Sequence, residues 1–68
     1  MSKVVFKTTA QLNDIIDLLS KTVSPQAYYI HTSVGGTGWQ VQWDRDPTIK
    51  TVYIEDGELA TFAMLKLK

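Results

Sequence analysis

The segment Trp39-Gln40-Val41-Gln42-Trp43 constrains the fold of this chain more than any other, because large apolar and neutral polar residues alternate in it without a break. Alternation of period two marks a β-strand whose two faces meet different surroundings. Both tryptophans of the sequence therefore project to one side with Val41, while Gln40 and Gln42 project to the other. Such a strand needs neighbouring strands and a covering layer, and the flanking sequence offers both.

Strand signals stand on either side of it. Lys3 to Lys7 places Val4, Val5 and Phe6 between charged ends and reads as a first strand. From Ala27 to Val34 the period is again two, with Tyr28, Ile30, Thr32 and Val34 alternating with Tyr29, His31 and Ser33. Gly35-Gly36-Thr37-Gly38 then supplies a reversal into residues 39–44. A four-residue loop there pairs Val34 with Trp39, Thr32 with Val41 and Ile30 with Trp43. Arg45-Asp46-Pro47-Thr48 makes the next turn into a strand over 49–55, placing Val41 opposite Val52 and Trp39 opposite Ile54. Both hairpins put the tryptophans on one common face, an internal check on register.

The covering layer comes from residues 9–22. Thr8 and Gln11 have the spacing of a capping box, and Leu12, Ile15, Ile16 and Leu19 recur at helical intervals. Gln11, Asn13, Asp14, Asp17 and Lys21 form the solvent face, and Ser24-Pro25 ends the helix. Asp56-Gly57 is a strong two-residue hairpin signal, and Leu59, Thr61, Ala63, Leu65 and Leu67 alternate after it. This predicts a last strand over 59–67. A C-terminal helix capped by Asp56 is the rival reading, since Leu59, Ala60, Met64, Leu65 and the lysines are good helix formers.

The expected fold is thus α+β, β-α-β-β-β-β, with one amphipathic helix packed on one face of a mainly antiparallel sheet. The 68 residues form one domain over 1–68. A chain of this length hides only roughly 60% of the surface its unfolded form exposes, which leaves little room for a large enclosed pocket. It contains no cysteine, so disulfide scaffolds, thiolate metal sites and cysteine nucleophiles are excluded and a cytoplasmic setting is expected. Seven basic residues balance seven acidic ones, which removes the field that draws phosphate backbones or anionic lipid. No segment approaches the ~20 apolar residues of a bilayer span, and Val4-Val5-Phe6 is too short for a signal-peptide core. The expectation is a soluble, unprocessed chain with no membrane partner.

Candidate chemistry is sparse. Gly35-Gly36-Thr37-Gly38 joins two strands and lacks the following Lys-Ser/Thr and helix of a phosphate loop. His31 is the single histidine and has no carboxylate placed to orient it, Asp44 lying only at a diagonal. Asp44-Arg45-Asp46 and Glu55-Asp56-Gly57-Glu58 lack calcium-ligand spacing and read as solvated turns. No metal ligand set or cofactor is indicated.

The sheet face away from the helix is the remaining candidate. It is expected to gather Tyr29, Tyr53, Phe62, Ile49 and Met64 among His31, Ser33, Gln40, Gln42 and Thr51, more apolar surface than a small monomer usually shows. A non-enzymatic protein-binding module is expected, homodimeric and a candidate regulator or inhibitor of a larger protein. Its binding residues would be Tyr29, His31, Gln40, Gln42, Tyr53, Phe62 and Met64. The alternative is a single-stranded nucleic-acid binder that stacks bases on Tyr29, Tyr53 and Phe62, with Lys50 and Lys66 near the phosphates.

Overall fold

The computed structural model describes residues 3–46 and 48–67. Five strands and two helices follow in the order β1 (Val4–Thr8), α1 (Leu12–Thr22), β2 (Gln26–Ile30), β3 (Ser33–Gly36), β4 (Trp39–Trp43), β5 (Lys50–Ile54) and α2 (Gly57–Lys66). The strands form one antiparallel sheet in the order β1-β5-β4-β3-β2. Both helices pack on the same face, α1 over β3 and α2 over β5 and β1, and they touch each other. The α+β class, the antiparallel sheet and the covering amphipathic helix are as the sequence suggests, and a second helix is added.

The core follows from side-chain rows running across the strands. On the helix side one row is Val4, Ile54, Trp39 and Gly36, and the next is Phe6, Val52, Val41, Val34 and Tyr29. Val34, Val41, Val52 and Ile54 are fully buried beneath Ile15 and Leu19 of α1 and Ala60 and Ala63 of α2. Each valine or isoleucine removed from water in this way contributes roughly 1.5–3 kcal/mol of transfer free energy before entropy is set against it. The β4–β5 register matches expectation, with Trp39 opposite Ile54 and Val41 opposite Val52.

Four parts of the expected layout are corrected. Residues 27–34 are not one strand: His31-Thr32 turns between β2 and β3, so that Ile30 pairs with Ser33 and Tyr29 with Val34. Among the described residues no non-glycine residue has positive φ, so this turn is built from ordinary residues and leaves no glycine in the sequence to mark it. The β3–β4 loop is two residues, Thr37-Gly38, with Gly38 at φ +86°, and Gly36 rather than Val34 lies opposite Trp39. The slip of two residues keeps the side chains of β3 and β4 on their expected faces.

The third correction concerns residues 59–67, which form no strand: α2 runs to Lys66 and Leu67 is its C-cap. Asp56 is its N-cap, its carboxylate accepting the backbone N–H of Glu58 at 2.9 Å and of Leu59 at 3.2 Å. The edge of β5 that a strand here would have used is occupied by β1. At the first helix the expected capping box is absent: α1 begins at Leu12, and Gln11 makes no side-chain cap bond. Thr8 instead ends β1, accepting the Ala10 N–H at 3.1 Å and donating its hydroxyl to the Leu67 carbonyl at 2.9 Å, which ties the end of α2 to the sheet.

Gly57 separates the two readings of the C-terminus experimentally. It has ordinary negative-φ geometry, and a Cβ there meets nothing within 4 Å. Gly57→Ala is expected to raise unfolding stability by about 0.5 kcal/mol through the unfolded state, and Asp56→Ala to lower it by about 1 kcal/mol. Chemical denaturation checks both, since a type I′ turn would reverse the sign at Gly57.

Candidate functional site

The strand edges and the uncovered sheet face are the surfaces left over once the core is formed. On the open face two rows cross the sheet: Val5, Tyr53, Gln40, Gly35 and Tyr28, then Lys7, Thr51, Gln42, Ser33 and Ile30. Ser33 and Thr51 lie there as expected, and so do three of the seven expected binding residues, Gln40, Gln42 and Tyr53. Gln40 donates to the Ser33 hydroxyl at 3.1 Å, and the Tyr53 hydroxyl donates to the Gln42 side-chain oxygen at 3.4 Å. The Lys3 ammonium lies 5.6 Å from the Tyr53 ring centroid.

The other four lie elsewhere. Tyr29 sits on the helix side of β2, opposite Val34, with its ring 6.2 Å from that of Trp43. His31 is in the exposed β2–β3 turn, in a shallow recess with Trp43, Asp44 and Arg45. Phe62 and Met64 belong to the outer side of α2. The physical cause is the two corrections above, since the turn at His31-Thr32 inverts which tyrosine faces which way, and the C-terminal helix carries Phe62 and Met64 off the sheet. Lys50 is on the helix side and buried, opposite Thr8 and Trp43. The rings and cations of the nucleic-acid reading therefore do not line one track.

Tyr28 takes the place expected for Tyr29, and the sequence contains a signal for it. A β-bulge puts Gln26 opposite Gly36 and Tyr28 opposite Gly35, with Ala27 as the extra residue. The Tyr28 ring lies over Gly35, where a Cβ would stand 2.5 Å from its hydroxyl oxygen and 2.9 Å from the Trp39 carbonyl. The glycine is what lets the tyrosine lie flat on the sheet.

β2 differs from every other strand in that all five of its residues are exposed, Tyr29 and Ile30 at 60% each. The segment carries no charge. Its backbone is also unpaired on the outer side, as the ladder geometry shows. The Trp43 N–H donates to the Thr32 carbonyl at 3.1 Å, so even-numbered β3 residues bond to β4 and odd ones to β2. Tyr28 and Ile30, paired with Gly35 and Ser33, thus spend their backbone groups on β3, and Tyr29 turns its N–H and C=O outward.

Among the described residues no group of three or more His, Asp or Glu side chains is arranged to hold a metal ion. Thr48 donates to the Asp46 carboxylate, its N–H at 3.0 Å, and holds the Asp46 pKa below the ordinary value, with Lys50 adding a smaller pull in the same direction. No helix among the described residues is long and apolar enough to cross a membrane. Comparison with protein-family models, curated proteins and solved structures returns no match for this chain.

Gly35→Ala is expected to cost about 1–3 kcal/mol, because the new methyl meets both Tyr28 and backbone. Adding Tyr28→Ala should recover part of the loss in thermal or chemical unfolding, since it removes the two contacts with the tyrosine ring and leaves that with the Trp39 carbonyl.

Proposed function

We propose that the protein is a small non-enzymatic protein-binding module that self-associates through the free edge of β2, in a cytoplasmic setting. The observation that supports this is the composition and exposure of that edge: five uncharged residues, all exposed, with the backbone of Tyr29 unpaired. Natural edge strands are usually blunted by lysine, proline or a covering element, and a bare one is a template for another strand. Here the bulge at Ala27 twists only the start of the edge and leaves Tyr28 to Ile30 regular.

A second copy is the partner that this edge suits best. Antiparallel pairing of β2 with its twin about a two-fold axis normal to the sheet would join two five-stranded sheets into one and keep all helices on the same side. Tyrosine and isoleucine side chains would meet across the seam with no like charges opposed. The other edge does not suit self-pairing, because β1 carries Lys7 and follows Lys3. The open face, with Tyr53, Gln40 and Gln42 at its middle, remains free in such a dimer. It is the surface we assign to a larger protein that the module regulates or inhibits.

Sedimentation across the micromolar range tests the dimer. The wild-type chain should pass from monomer to dimer, and Tyr29→Pro should weaken association without unfolding, since the N–H it removes is not used by β3. Two such bonds are lost per symmetric dimer, about 2 kcal/mol in net terms, or roughly 30-fold in the dissociation constant. Ile30→Lys should act in the same direction by placing charge on the edge. A strict monomer for the wild-type chain at high micromolar concentration contradicts the proposal.

A further inference from the structure

The opposite edge of the sheet has a different chemistry. The Glu55 N–H donates to the Gly38 carbonyl at 3.0 Å, so odd-numbered β5 residues bond to β4 and even ones to β1. Val4, Phe6 and Thr8 therefore spend their backbone groups on β5, and Val5 and Lys7 turn theirs outward. Beside this free edge, on the helix side, runs a groove of about 410 Å³ lined by Phe6, Thr8, Thr61, Met64, Leu65 and Leu67, with Lys7 at its margin. α2 makes the groove because it packs its small residues, Ala60 and Ala63, against the sheet and turns Met64 and Leu65 outward, Leu65 being 68% exposed. Thr8 holds the far end of the helix in place through the Leu67 carbonyl.

We infer that the β1 edge binds an extended segment of another protein in which apolar and acidic residues alternate. The added strand would take its backbone hydrogen bonds from Val5 and Lys7, the mode by which peptides extend exposed sheets. Its apolar side chains would fall on the helix side, into the groove between β1 and the outer flank of α2. Its alternate side chains would fall on the open-face side, beside Lys3, Val5 and Lys7.

The charge along that edge selects carboxylates. From Lys3 to Thr8 and from Thr61 to Leu67 every charged residue is a lysine. Acids lie on the inner side of these lysines, away from the open edge: Glu55 follows β5 opposite the Lys3 end of β1, Asp44 and Asp46 share an open-face recess with Lys7, and Asp14 of α1 shares a recess with Lys66. Opposite charges across a strand pair stabilise it and like charges oppose it, so a basic strand is disfavoured at this edge. The inference is independent of pairing through β2, which lies at the other side of the sheet.

The test uses the full chain and two fluorescent seven-residue peptides, one alternating valine with glutamate and one alternating valine with lysine. By anisotropy the glutamate peptide should bind, more weakly as salt rises, and the lysine peptide should bind at least about tenfold more weakly. Amide shifts should concentrate at Val5 and Lys7. Val5→Pro, which removes an outward N–H, and Leu65→Asp, which places charge in the groove, should each lower affinity. Should Val5→Pro fail to fold, Leu65→Asp decides, its side chain being exposed already. Ile30→Lys should bind as the wild-type chain does, which separates this site from the β2 edge. Equal binding of both peptides, no binding of the glutamate peptide at about 50 mM salt, or indifference to Leu65→Asp overturns the inference.

Discussion

Trp39 has to bury a large ring and satisfy an indole N–H at the same time, and the layout around it follows from how it does both. The ring is 3% exposed, and its Nε1 donates to the Ser24 carbonyl at 2.9 Å. A buried indole donor left without an acceptor would cost about 1–3 kcal/mol, so this bond ties the segment after α1 to the β3–β4 hairpin. Gly36 makes the room, since a Cβ there would stand 2.7 Å from Nε1 and 2.5 Å from the Pro25 carbonyl oxygen. The Ser24 hydroxyl adds a second tie, donating to the Thr37 carbonyl at 2.7 Å. With the connection pinned across the end of β3 and β4, the chain enters the sheet beyond β3. The strand it forms is outermost.

That placement is why the two edges differ. α1 packs over β3, and all five residues of Gln26–Ile30 stay exposed at the rim of the sheet. α2 lies over β5 and reaches β1, so the other edge is flanked by a helix and has an apolar groove beside it. The neutral edge suits a copy of itself and the basic edge suits an acidic strand. Between them the open face holds a hydrogen-bonded middle of Gln40, Ser33, Tyr53 and Gln42, where polar side chains bond to one another rather than pointing freely into solvent.

Elements with dense periodic signals were legible in the sequence. Leu12, Ile15, Ile16 and Leu19 specify α1, and the alternation in β4 and β5 was sufficient to give their register. The β2–β3 turn was not legible because His31-Thr32 contains none of the residues that demand special backbone geometry. The polar run His31-Thr32-Ser33 between apolar stretches was the signal available. Asp56-Gly57 is ambiguous in principle, since an aspartate before a glycine can open a type I′ turn or cap a helix. What decides is non-local: β1 fills the edge of β5, and Ala60 and Ala63 fit beneath a helix. Of the expected binding residues, Gln40, Gln42 and Tyr53 share the open face because the alternation in β4 and β5 specifies their register. Tyr29, His31, Phe62 and Met64 scatter because their positions depend on the His31-Thr32 turn and on α2, which the local residue pattern does not specify.

Backbone amide hydrogen exchange across β2, followed by NMR at low and high protein concentration, tests the central claim most directly. The Tyr28 and Ile30 amides, bonded to β3, should be protected at both concentrations, whereas the outward Tyr29 amide should exchange quickly when dilute and become protected as the chain associates. If the Tyr29 amide exchanges at the same rate at every concentration, β2 does not pair with itself. If Tyr28 and Ile30 exchange as fast as Tyr29 in the dilute protein, the register of β2 on β3 is itself wrong.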